Sequence, residues 1–294
     1  MNELKKYGAI ALDPIHIGAG GYRLGRVDNT IVRDPTTDVP KIPGTSLAGV
    51  IRAYADIVKK EEDGGNNNKK FKDVNIDEIF GTGDRQGVLR FYDAQILFFP
   101  VSSIQGTVWI TTKELLEYWL GDLKDKNGEK LKIPEKIEDT AYIIKGIGAS
   151  KPLNFGWLML EIDNAIGDKE VTLPSQLNNF VKRIVAASDN LFSHIVNDNL
   201  EIRTSVKIDS KTGTAEKGAL FTYEAIPRGT ILGFEIVKDR RKGNKDMVEP
   251  LIEATFPYLK LIGVGGMGTR GFGRINVFNM VETSNDKGTQ SGGK

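Results

Sequence analysis

Apolar and polar positions along the chain alternate between two periods. Tyr7-Gly-Ala-Ile-Ala-Leu is a short, mostly apolar run that reads as a buried strand. From Leu47 to about Lys60, the apolar residues Leu47, Val50, Ile51, Tyr54, Ile57 and Val58 recur at the spacing of a one-faced amphipathic helix. Residues 77–87 read as a short helix ending in a glycine-rich turn. The alternation over Val88–Leu97 predicts a strand, Phe98–Val101 and Gly106–Thr112 predict more, and Thr112 is placed to cap a helix through Glu114–Leu120. Trp157–Ile162 reads as a strand, and Leu177–Val196 as a helix with Phe180, Ile184, Val185, Leu191 and Phe192 inward. Glu201–Ile208 and Ala219–Ile226 alternate about the turn Lys211-Thr-Gly-Thr, which predicts a hairpin over 202–226. Ile231–Val237 and Ile275–Phe278 predict strands, and Met247–Leu261 a helix carrying Pro250 and Pro257 as potential breaks.

The intervening stretches lack either period. Residues 61–72 and 121–138 are polar and loop-like, with Lys69, Lys70 and Lys72 in the first of them. Residues 142–154, with Gly146, Gly148 and Pro152, read as irregular. From Thr283 the polar tail predicts disorder, leaving one elaborated domain over 1–282.

Composition narrows the classes. With 294 residues, 39% hydrophobic and 27% charged, the chain is long enough for a sizeable core and reads as a soluble globular protein. The absence of cysteine removes disulfides, thiolate zinc sites and cysteine nucleophiles, and the N-terminus MNELKKYG lacks the apolar core of a signal peptide. A cytoplasmic protein without a membrane partner is expected. Forty Lys and Arg against 39 Asp and Glu give no global basic field, so any nucleic-acid binding must come from a local patch or from neighbouring subunits.

Two stretches carry candidate chemistry. In the first, Pro14 to Arg52, the strand end at Ile15–Ile17 delivers His16 to a glycine turn at Gly18, Gly20 and Gly21. Asp28 follows in a loop with Arg23, Arg26 and Arg33. A carboxylate among bases suits chemistry on phosphates, while an Asp-Asn pair equally suits an Asx-turn. His16 is one of only two histidines, and at a strand end it reads first as a structural hydrogen-bonder. His194 reads as a core or helix C-terminal histidine. Ser46 or Thr45 is placed to cap a helix starting at Leu47, leaving N–H groups that, with Arg52, make an anion site. The second stretch, 263–273, holds six glycines flanked by Arg270 and Arg274. Such density lets a backbone approach a phosphate closely, and Gly265, Gly268, Gly271 and Gly273 are its candidate contacts. No Gly-Lys-Ser/Thr follows, so the loop is not a P-loop.

The order of IHIGAG, GRVDN, IVRDPTTDVPKIPGTSLAGVIR, IFG and the terminal GVGGMGTRGFGRI resembles the RAMP (repeat-associated mysterious protein) superfamily of CRISPR systems. YDAQILFFPVSSIQGTVWITT, the hairpin RTSVKIDSKTGTAEKGALFTYEAIP and the FGTGD turn are most similar to the repeated backbone subunit of type III-B (Cmr) effector complexes, with the type III-A (Csm) backbone subunit second. The resemblance spans residues 7 to about 278. It implies an α+β fold: a ferredoxin-like, RRM-derived palm elaborated by insertions and a protruding β-hairpin thumb. It implies copies stacked along a CRISPR guide RNA beside other type III subunits, and single-stranded target RNA cut at regular intervals with a divalent cation such as Mg²⁺. It further implies that Asp28 is the cleavage residue and metal ligand, that His16 sits at the family's histidine position, and that Tyr223 and Glu224 lie near the cut. Ala48 stands where members often carry lysine, so a guide contact there would pass to Arg52.

Cleavage of this kind has a simple physical form. A 2′-hydroxyl attacks its own phosphate once the backbone is splayed in line, so the protein must enforce that geometry, move a proton and stabilise charge. Asp28 could position the hydroxyl, act as base or hold Mg²⁺, which needs only one or two protein carboxylates. Three functions stand: a target-RNA endonuclease that is also a backbone subunit, a non-catalytic RNA-binding scaffold, and a metal-independent endonuclease processing precursor CRISPR RNA.

Overall fold

The computed structural model describes residues 3–20, 27–63, 70–125, 127–131, 133–134, 137–148, 152–163, 171–209, 211–239 and 246–280. In chain order the strands are β1 (Glu3–Ala11), β2 (Lys41–Ile42), β3 (Leu89–Phe91), β4 (Ala94–Ser103), β5 (Gly106–Thr112), β6 (Lys124–Asp125), β7 (Thr140–Lys145), β8 (Leu153–Phe155), β9 (Leu158–Asp163), β10 (Val171–Thr172), β11 (Ile184–Ala187), β12 (Glu201–Ile208), β13 (Ala215–Ala225), β14 (Ile231–Lys238) and β15 (Ile275–Asn279). The helices are α1 (Gly44–Asp63), α2 (Ile76–Phe80), α3 (Lys113–Leu120), α4 (Ser175–Phe180), α5 (Asp189–Asp198), α6 (Val248–Ala254) and α7 (Phe256–Leu261).

One half of the main sheet runs β15-β1-β14-β4, every neighbouring pair antiparallel. With α1 between β1 and β4, and α6 and α7 between β14 and β15, this is the connectivity and order of a ferredoxin-like unit, as the resemblance implies. The amphipathic pattern of α1 does its work here. Leu47, Ile51, Tyr54 and Val58 are buried in the same cluster as Tyr7, Ala9 and Ala11 of β1 and Leu251 and Ile252 of α6. On the opposite face, Ile10, Leu97, Phe98 and Trp109 meet Leu116 and Trp119 of α3, whose N-cap Thr112 accepts the Leu115 N–H at 3.3 Å as the sequence predicts.

Beyond β4 the sheet continues β5-β11-β7-β9-β8, mixed in direction. Here local pattern misleads. Residues 177–196 do not form one helix: Ile184–Ala187 is a strand with all four side chains buried, parallel to β5 and antiparallel to β7. A short apolar run fits a buried helix turn or a central strand equally well, and two open strand edges decide for the strand. Likewise β7 runs into the stretch read as irregular, and β6 lies inside a charged segment read as loop. The predicted strand over Val88–Leu97 breaks into β3 and β4, and the last long helix divides at Thr255 into α6 and α7, with Pro257 in the first turn of α7. The tail from Thr283, and Lys69, lie outside the described residues.

The predicted hairpin is present. β12 and β13 pair with each other as a separate two-stranded sheet. Among the described residues no helix is long and apolar enough to cross a membrane.

Candidate active site at the base of the hairpin

Three segments distant in sequence converge where the hairpin leaves the palm. Ile15 and Ile226 exchange both backbone hydrogen bonds, at 2.8 and 2.9 Å. Asn29 donates its N–H to Thr222 O and accepts from the Glu224 N–H, both at 3.0 Å, so β13 is held along two successive stretches of the chain. From the other side, the glycine-rich loop donates the Gly266 N–H to His16 O and the Gly273 N–H to Pro14 O, each at 2.9 Å. At Gly265, with φ +85°, a Cβ would lie 2.6 Å from His16 O and 2.5 Å from Ile17. Only glycine allows this approach.

Asp28 is partly buried at this junction and bonded to β13. Its Oδ2 accepts the N–H and the Oγ1–H of Thr222, both at 2.8 Å, and its own N–H is donated back to Thr222 Oγ1 at 2.9 Å. These bonds, the Thr222 amide first and its hydroxyl second, hold the Asp28 carboxyl below the usual carboxylate range. Asp28 is therefore ionised at neutral pH and a weak proton acceptor, which suits charge or positioning better than general-base work. No other described residue bonds Oδ1.

The other candidates lie on the next residues of β13 and on the segments bonded to them. His16 is buried and its Nδ1 lies 2.7 Å from the Glu224 carbonyl, which can only accept, so Nδ1 carries the proton. Its ring meets Tyr223 edge-on at 5.7 Å. Tyr223 Oη accepts from Arg270 at 3.2 Å, and Arg270 also reaches Ser205 Oγ at 3.4 Å. Tyr223, His16 and Arg270 are thus brought together. The Glu224 carboxylate turns the other way: it accepts from Arg33 at 2.6 Å and from the Ile31 N–H at 3.2 Å, a partly buried ion pair that anchors the hairpin to the loop after Asn29.

The predicted RNA contacts divide. Arg270 and the open positions Gly268 and Gly271 remain on the surface beside Tyr223. Gly265 and Gly273 are spent on packing against residues 14–17 and Val264. Ser46 does not cap the helix; α1 starts at Gly44, whose N–H is donated to Asp93 Oδ1 at 2.8 Å, so a carboxylate of the chain itself already occupies part of that terminus. Arg52 bonds Asp77 and the Gly81 carbonyl, and Arg274 pairs with Asp13 at 2.5 Å. Arg23 and Arg26 lie outside the described residues. His194 is exposed on α5, not in the core. Sequence reasoning passed over Thr222, an unremarkable strand residue, and Arg203 and Arg228, which gather with Arg274 around Asp13 and together hold its carboxyl below the usual range, the Arg274 hydrogen bond contributing most. The alternation of β12 marked Arg203 only as a side chain on one face.

No group of three or more His, Cys, Asp or Glu side chains able to cage a metal ion exists among the described residues. What the site offers a divalent cation is one carboxylate oxygen, Asp28 Oδ1, since Glu224 is committed to Arg33. That donor set fits a cation completed by phosphate oxygens and water, not one held by protein alone.

The profile of the RAMP superfamily matches residues 9–276. The chain is 30% identical over 303 aligned residues to the CRISPR system Cmr endoribonuclease Cmr4 of Pyrococcus furiosus, covering 97% of this chain and 98% of that protein. A crystal structure of oligomeric Cmr4 from Pyrococcus furiosus superposes with TM-score 0.63 at 24% identity, covering 95% of this chain and 99% of that one. The cryo-EM structure of a type III-B Cmr-beta complex bound to cognate target RNA contains a chain that matches with TM-score 0.66 at 19% identity, over 94% of this chain and 96% of that one. A hairpin pinned to a ferredoxin-like palm beside a glycine-rich loop, with these matches along nearly the whole chain, places the protein in the RAMP superfamily, among the relatives of the type III-B subunit Cmr4.

Proposed function

We propose that this protein is a backbone subunit of a type III-B CRISPR effector complex that binds guide RNA, stacks with further copies of itself and other type III subunits, and cuts guide-paired single-stranded target RNA. The observation that carries this reading is the fixed Asp28 carboxylate, with one oxygen unbonded by any other described residue, held at the hairpin base by Thr222, the strand neighbour of the Tyr223 that meets His16 and Arg270. A hairpin leaving the palm at that point can part a duplex, and the strand segment it splays lies where the attacking 2′-hydroxyl must be brought in line with its phosphate. Arg270 supplies charge for the phosphorane. Asp28 orients the hydroxyl or, with divalent metal bound, contributes one ligand to it; the metal would stabilise charge on the phosphate oxygens.

The test is Asp28→Asn in the assembled complex. Asn keeps an oxygen acceptor for both Thr222 donors while removing the charge, so guide loading and target binding are expected to match the wild type and target cutting to fall at least about a hundredfold. Cutting at the wild-type rate would leave the non-catalytic scaffold, a reading favoured by the three bonds between Asp28 and Thr222, which would by themselves justify an aspartate here. Loss of cutting on chelation of divalent ions, restored by Mg²⁺, tests the metal.

A further inference from the structure

We infer that Thr222 is a positioning residue for target cleavage: through its amide and hydroxyl it aims Asp28 Oδ1 and ties that aim to the seating of the hairpin. The inference rests on the proposed catalytic role of Asp28. Aspartate in a turn commonly bonds an N–H one to three residues further on, and such an Asx-turn would leave its carboxylate independent of the hairpin. Here the partner is 194 residues away in sequence. Oδ2 accepts two donors from one residue at 2.8 Å each, and the same hydroxyl accepts the Asp28 N–H at 2.9 Å, so the main chain and the side chain of Asp28 are both fixed against Thr222. One carboxylate oxygen is filled and the other points away in a set direction.

The same strand completes the coupling. Thr222 O accepts the Asn29 N–H at 3.0 Å and the Asn29 side chain at 3.3 Å, Tyr223 bridges Asn29, and the Glu224 N–H returns to Asn29 O. Displacement of the hairpin base therefore carries Asp28 with it, or breaks three bonds to it. A wedge that must part a duplex before the backbone is splayed gains from this: the carboxylate is correctly aimed only when the hairpin is seated. The hydroxyl proton and the amide N–H of Thr222 are both donated to Asp28, so Thr222 acts through Asp28.

The hydroxyl is the separable half of the device. Thr222→Val keeps the β-branched shape and the amide bond but removes one donor to Oδ2 and the hydroxyl oxygen that accepts the Asp28 N–H. In complexes loaded with guide RNA and saturated with target, Thr222→Val is expected to slow the single-turnover cutting rate about 10- to 100-fold while target affinity stays within about twofold, because small misplacements cost rate and not binding. Thr222→Ser, which restores the hydroxyl, is expected to recover most of the rate. Combining Thr222→Val with Asp28→Asn is expected to lower cutting no further than Asp28→Asn alone, as two residues acting through one atom must. In the protein without RNA, amide exchange at Asn29 and Glu224 is expected to speed up in Thr222→Val and not in Thr222→Ser.

Wild-type cutting by Thr222→Val while Asp28→Asn is inactive would overturn the positioning role and leave the catalytic assignment standing. Wild-type cutting by Asp28→Asn would overturn both. If Thr222→Val does not assemble on guide RNA, Thr222→Ala replaces it; failure of both to assemble makes the hydroxyl a folding element and overturns the proposal, as does a Thr222→Ser variant no faster than Thr222→Val.

Discussion

The two ends of one hairpin behave as different kinds of structure. At the base, Thr222, Tyr223, Glu224 and Ile226 of β13 and its exit are bonded to Asp28, Asn29, Ile31, Arg33 and Ile15, and Glu224 and Ala225 are buried. Further out, Val206, Ile208 and Leu220 are exposed, the pairing register shifts between Val206 and Ile208, and the turn closes on its own Asp209. The sequence alternates in both halves. What differs is the packing: the base is bonded to the palm, and the outer arm carries exposed apolar side chains on a two-stranded pair, which is marginal in water by itself. Chemistry that depends on fixed geometry belongs at the base, and a segment able to give way belongs at the arm.

The largest effect that would break this contrast is on stability. Arg33→Ala leaves the buried Glu224 carboxylate without its cationic partner and is expected to cost about 3–5 kcal/mol in denaturant unfolding, with Asp28 released as the base loosens. A loss below about 1 kcal/mol would show that the base is not pinned by this pair. Next comes the arm. Replacing residues 210–217 by a short Asn-Gly turn is expected to change stability by no more than about 0.5 kcal/mol and to leave guide loading intact, yet to abolish the regular spacing of target products. A retained ladder on a gel would remove the wedge from the argument.

A smaller effect separates the two arginines of the glycine loop. Arg270→Ala is expected to weaken guide loading and reduce the salt slope by about one unit, whereas Arg274→Ala, whose guanidinium is paired with Asp13, should alter the slope less. Equal slopes in both variants would count against Arg270 as a phosphate contact. The smallest effect is a pH dependence. Because the folded Asp28 carboxyl lies below its unfolded value, the clamp contributes its full stability above the ordinary carboxylate range and loses it as pH falls through the lower folded value. The thermal midpoints of wild type and Asp28→Asn are thus expected to keep a constant separation from neutral pH down to about pH 5 and to converge only in stronger acid. Convergence already at neutral pH would show that Thr222 does not hold the charge.

Local pattern made much of the scaffold legible. The one-faced spacing of Leu47, Ile51, Tyr54 and Val58 has only one way to be buried, the run from Tyr7 onward suits a strand covered on both faces, and Thr112 needs nothing beyond the next three residues to cap α3. The hairpin was equally plain, because alternation and a polar turn lie within one continuous stretch. The order of motifs along the chain marked the superfamily, and with it the segment around Asp28 and the glycine loop.

Where partners are chosen at long range, pattern was silent. Periodicity says which side of an element is covered, never by what, so Ile184–Ala187 could not be told from a helix turn until β5 and β7 stood on either side of it. Charge is no better guide. Arg52, Arg274 and Arg33 look alike in sequence, and only the fold assigns them to Asp77, Asp13 and Glu224, since an ion pair is fixed by distance and desolvation, not by residue type. Asp28 shows the division most sharply. The sequence by itself put a carboxylate beside glycines and arginines after the first strand; the tertiary structure decided that Thr222, brought back by a strand 194 residues on, fills one of its oxygens and leaves the other without a bond to any other described residue, because a hydrogen bond needs only proximity and direction, and both come from the fold.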